Sequence, residues 1–87
     1  MKVNFKAITV KDVESNESVR DFSHELGNAI FTGTKDLGEL ELARGIYKDG
    51  EVEISKEQVQ AVKDYIQRNF YAWAQEALLA AMEKDNS

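Results

Sequence analysis

The feature that most constrains this chain is the apolar pattern of its last third. From Val59 onward, Val59, Val62, Ile66, Phe70, Trp73, Ala77 and Ala81 recur at intervals of three and four. At about 100° per residue, these positions fall on one stripe of an α-helix. Ser55 and Gln58 have the spacing of a capping box just ahead of it. No proline interrupts the chain. The pattern therefore predicts one long helix from about Lys56 to Lys84, with that stripe as its buried face.

The second half of this segment, FYAWAQEALLAAM (Phe70–Met82), is richer in apolar residues than one stripe requires. On a continuous helix Tyr71, Leu78 and Met82 fall on a separate line, roughly 100° from the first. Leu79 lies further round. Two explanations stand. Another element folds over this second line, or Tyr71, Leu78, Leu79 and Met82 form a protein-interaction surface. A line at i, i+7 and i+11 suits a helix–helix seam. Aromatics and methionine are enriched at interface centres. The expected partner is a second copy, as a homodimer, or another protein.

The N-terminal part reads differently. Val3, Phe5 and Ala7 alternate with Lys2, Asn4 and Lys6, the period-two signature of a half-buried strand. Ile8 and Val10 shift the phase by one, which suggests a bulge or a strand end buried on both faces. The polar stretch KDVESNES then separates this run from VRDF, and a β-hairpin of residues 2–10 and 17–22 is expected. Ser23 is placed to cap a short helix carrying Leu26, Ala29 and Ile30, which ends near Gly33. Asp36, three residues before Glu39, signals a second helix start. Two readings remain for residues 37–47. Leu37, Leu40, Ala43 and Tyr47 fit helical spacing, whereas GIYKDGEVEI has Asp-Gly between alternating runs, a hairpin signal. The helical period fits better. EVEI then forms a short strand or extended linker near 51–54. The expectation is an α+β fold: a hairpin and a third short strand packed on two short helices and one long helix, as a single domain over residues 1–87.

Composition narrows the function classes. Eighty-seven residues bury only about 60% of the surface that the unfolded chain exposes, so stability is expected to be modest. The chain has no cysteine, which excludes disulfides, thiolate catalysis and cysteine-ligated zinc. No run reaches the ~18 apolar residues of a membrane span, and the N-terminus lacks a signal-peptide pattern. The expected location is cytoplasmic, with no membrane partner. The formal charge of −5 opposes direct binding to nucleic acid.

Candidate chemical motifs are weak. With Gly50 at the sixth position of a calcium loop, Gly45, Tyr47 and Lys56 would occupy the first, third and twelfth, where carboxylates are needed. His24 is the single histidine, and neighbouring Ser23 does not face it from an adjacent helix position. Glu39 with Glu41 and Glu51 with Glu53 are the densest carboxylate pairs, but they alternate with apolar residues as a solvated face does. A helix-turn-helix over 23–47 would present Glu39 and Glu41 to phosphate. No catalytic residue, metal ligand or cofactor is expected. A second hypothesis uses the acids themselves: Asp12, Glu14, Glu17, Asp21, Glu39, Glu41, Glu51 and Glu53 could imitate nucleic-acid phosphates and block a basic protein. Eleven cations interleaved with sixteen acids weaken it.

The stretches MKVNFKAITVKDVE, ELGNAIF, DLGELELARGIY and DGEVEIS together resemble a group of small uncharacterised bacterial proteins of prophage or mobile-element type. The resemblance covers most of the chain and is weakest in the last helix. It implies a cytoplasmic accessory protein, and it supplies no catalytic or ligand-binding residues. The leading expectation is a non-enzymatic interaction module acting through its C-terminal helix.

Overall fold

The computed structural model describes residues 1–83. Its elements run β1 (Lys2–Asn4), β2 (Ile8–Lys11), β3 (Glu17–Arg20), α1 (Ser23–Gly33), α2 (Leu37–Asp49), β4 (Glu51–Glu53), α3 (Lys56–Asn69) and α4 (Ala72–Glu83). The fold is α+β, with four helices and two small antiparallel sheets among the described residues. One apolar cluster draws on β1, β2, every helix and Ile54.

The phase shift at Ile8 marks a change of sheet. Lys6 donates its amide to the Asn4 side chain, and Ala7 donates to the Asn4 carbonyl. The chain turns there, so Val3 and Phe5 face the core in one phase and Ile8 and Val10 in the next. β2 and β3 do form the expected hairpin, with Ile8 opposite Arg20 and Lys11 opposite Glu17. Residues 2–4 are not part of it, which corrects the 2–10 strand. β1 pairs instead with β4, placing Val3 opposite Val52.

Several local signals produce the structure they predict. The Asp36 carboxylate accepts the Glu39 amide at 2.9 Å and starts α2. Residues 37–47 are helical, so the Asp-Gly hairpin is not formed. Gly50 ends that helix at φ 76°, a conformation glycine adopts without steric cost. Its amide returns to the Gly45 and Ile46 carbonyls, and β4 follows directly. α1 ends at Gly33, and the Ser55–Gln58 capping box opens α3.

Ser23 does not cap α1. Leu26 donates to the Phe22 carbonyl, so Phe22 occupies the cap position. The Asp21 carboxylate performs the polar task, accepting the Ser23 amide at 2.8 Å and its hydroxyl at 2.6 Å.

The long C-terminal helix is two helices. α3 stops at Asn69, and Phe70 is extended at φ −124° and ψ 151°. α4 resumes at Ala72 and is described to Glu83, so the expected end at Lys84 lies outside the described residues. No proline or glycine causes this break. The Gln75 side-chain amide takes up carbonyls that the break frees, donating to Gln67 at 3.3 Å and to Phe70 at 2.8 Å. The break lets α4 lie against β2 and β1 while α3 packs on α1.

α1 and α2 meet at Gly27. A Cβ there would stand 2.9 Å from the Tyr47 Cβ and 3.0 Å from the Ala43 carbonyl oxygen. Helix propensity alone favours alanine over glycine by about 1 kcal/mol. Gly27→Ala is nevertheless expected to lower stability by about 1–3 kcal/mol, because backbone must move to admit the methyl group. Urea unfolding measures it; a gain in stability would show that the helices can separate without loss.

Candidate interaction surface

The α3–α4 break defines the most distinctive surface of the protein. Phe22, at the start of α1, is buried. Its ring meets Phe70 edge-on, with centroids 5.8 Å apart, and lies 6.1 Å from Trp73. Phe70 thus contacts the start of α1. Arg20, the last residue of β3, places its guanidinium 5.4 Å from the Trp73 ring centroid. A cleft of about 790 Å³ opens beside this cluster. One wall is the outer face of α1, with Glu25, Asn28 and Thr32. The other is the corner itself, with Phe70, Tyr71 and Trp73.

The four residues expected to share a contact face are not together on a surface. Leu78 and Met82 are fully buried at 0% exposure, and half-buried Leu79 packs against the core. Tyr71 alone is open, at 80%. The expected core stripe changes too. Val62 and Ile66 are buried and Ala77 is 9% exposed, but Trp73 is 47% exposed. Both corrections have one cause. Breaking the helix resets its phase, and the buried face of α4 becomes Ala74, Ala77, Leu78 and Met82, at helical spacing of its own.

Residues weighed for chemistry have structural partners. The Ser23 hydroxyl is buried and donates to Asp21. His24 stacks its ring on Tyr47, with centroids 4.4 Å apart. Glu39 accepts from the Thr34 hydroxyl at 2.9 Å, Glu41 pairs with Arg44, and Glu51 pairs with Lys2 at 3.2 Å. Among the described residues, no three histidine, aspartate or glutamate side chains gather as metal ligands. No described helix is long and apolar enough to cross a membrane.

Sequence reasoning missed Trp73 and Arg20 as surface partners. Trp73 fits the apolar stripe of an unbroken helix, and nothing local announces the break. Nothing in the sequence announces Arg20 either; only the structure shows that it ends a strand whose four residues are all exposed. Neither a family model, a curated protein nor a solved structure matches this chain.

The Asp21 carboxyl is held below the usual range, chiefly by the Ser23 hydroxyl and then by the Ser23 amide. A depressed folded-state pKa adds stability that is present above the unfolded value of about 4 and is lost as pH falls through the folded one. Asp21→Asn should therefore flatten the fall in stability below about pH 4, and thermal melts across that range measure it.

The phase reset also separates two residues of the same expected line, Tyr71 just ahead of α4 and Leu78 within it. Leu78→Ala is expected to cost about 2–5 kcal/mol by leaving a cavity. Tyr71→Ala should stay within about 0.5 kcal/mol of wild type. Similar losses at both positions, read by denaturant unfolding, would contradict the assignment of Leu78 to the core and Tyr71 to the surface.

Proposed function

We propose that the protein is a non-enzymatic interaction module that grips another protein at the α3–α4 corner. The observation that carries this reading is the exposure of Tyr71 and Trp73 beside a cleft, at 80% and 47%, with Arg20 stacked on Trp73. Tryptophan, tyrosine and arginine are the residue types that dominate interface energetics. Here all three stand within one corner, backed by the buried Phe22 ring. The chain keeps the C-terminal helices as its contact element, and the contact moves from the Leu78–Met82 line to the start of α4.

The partner chemistry follows from the walls. Aromatic rings and the Trp73–Arg20 pair offer a platform for an apolar side chain. Glu25, Asn28 and Thr32 offer polar groups to the main chain that carries it. A partner segment with an exposed apolar anchor fits both.

Affinity capture with wild type and with a Tyr71→Ser, Trp73→Ser variant tests this reading, followed by calorimetry with the purified partner. The expected result is binding by wild type and a loss of at least about tenfold in the variant, roughly 1.4 kcal/mol, with circular dichroism confirming that the variant is folded. Equal binding by the two proteins refutes it.

A further inference from the structure

A second groove lies between α1 and α2. Gly27 and Ala43 form its floor, and Phe31 and Tyr47 stand beside it at 44% and 48% exposure. The Arg44 guanidinium lies 5.7 Å from the Phe31 ring centroid. Arg44 and Lys48 are the charged residues of the lining, and no carboxylate belongs to it. Glu41 reaches Arg44 from outside the lining, and Lys48 has no ion-pair partner among the described residues. In a chain of formal charge −5, this groove is apolar and locally cationic. Its volume of about 260 Å³ is below the roughly 300–1,000 Å³ of pockets for drug-sized ligands. It suits one protruding side chain of moderate size with an acid beside it.

The same chain carries a group of that description. The turn between β2 and β3 exposes Val13 completely, between Asp12 and Glu14. The turn is held in shape. Its Asp12 carboxylate accepts the Glu14 and Asn16 amides at 2.9 Å each, and Ser15 takes a left-handed conformation at φ 68°. The exposed Glu14 carboxylate has no partner among the described residues. A preformed turn loses little conformational freedom on binding.

We propose that the Asp12–Val13–Glu14 turn of one copy seats in the α1–α2 groove of a second copy. Val13 enters between Phe31 and Tyr47. Glu14 meets Lys48, and the remaining negative charge of Asp12 faces Arg44. Both halves of the complementarity are present on every molecule, which singles out a second copy as the occupant. Each molecule offers one turn and one groove, so reciprocal use gives a two-fold pair. The contact uses neither Tyr71 nor Trp73 and stands independently of the α3–α4 corner.

Sedimentation equilibrium of the full chain over a wide concentration range provides the test. Wild type is expected to self-associate reversibly, and less so at about 1 M salt, where screening acts within about 3 Å. Glu14→Lys and Lys48→Glu should each weaken association at least about tenfold. The Glu14→Lys, Lys48→Glu double variant restores opposite charges in exchanged positions and should recover most of that loss. Lys48 sits in the last turn of α2, so circular dichroism confirms folding and Lys48→Gln provides a milder variant. Leu37→Glu, at another exposed apolar residue, and the Tyr71→Ser, Trp73→Ser variant should associate as wild type does. Wild type that remains monomeric up to about 1 mM overturns the proposal. So do single variants that associate normally, or a double variant that does not recover.

Discussion

The fold depends on how Phe5 is held. Its side chain is fully buried, and its backbone is bonded on two sides. The Phe5 amide donates to the Gly50 carbonyl at 2.8 Å, which continues the β1–β4 pairing. The Phe5 carbonyl accepts the Phe22 amide at 2.8 Å, which ties the start of α1 to the same residue. Lys6 adds a third tie: its side chain lies over Gly50, and its amine donates to the Lys48 carbonyl at 3.0 Å. One crossing of the chain therefore joins the end of α2, the start of α1 and both small sheets. Neither two-stranded sheet is large enough to be stable in isolation. Each is stable because this crossing sets both against the helices, and α4 then covers β1 and β2.

What the sequence revealed was what is decided locally. Asp36 with Glu39, and Ser55 with Gln58, signal helix starts because the bonds they form span three residues. Gly33 and Gly50 mark ends for equally local reasons. The phase shift at Ile8 was visible, but its meaning was not. It marked neither a bulge nor a strand end buried on both faces but a change of partner, to a strand some fifty residues away, and alternation does not say which strand a strand will meet. Ser23 was misassigned by a narrower margin. Asp21, two residues earlier, is the stronger acceptor and takes its place.

The candidate surface was legible only as a surplus. An unbroken helix can account for seven apolar positions between Val59 and Ala81, and the remainder looks like a second face. That reading assumes constant helical phase through Phe70 and Tyr71. Tertiary contacts remove the constancy: Phe22 attracts Phe70, and the strands offer α4 a bed at a different angle from α1's. After the reset, most of the apolar excess is core, and the residues left outside are Tyr71 and Trp73.

The break exchanges one set of contacts for another. A straight helix would leave Leu78 and Met82 beside polar positions, about 100° from the buried stripe. Burying both side chains fully contributes roughly 1.5–3 kcal/mol each. The break gives up a few intrahelical backbone hydrogen bonds, each worth about 0.5–1.5 kcal/mol net. Gln75 recovers part of this by donating to the Gln67 and Phe70 carbonyls. The remaining term is Trp73, which a straight helix would aim with Ile66 and Val62 at the core. In the observed structure it loses part of that burial and retains contacts with Phe22 and Arg20. Leu78 and Met82 thus lie fully in the core while Trp73 stands half-exposed. The exposed corner therefore accompanies the packing of α4 into the core.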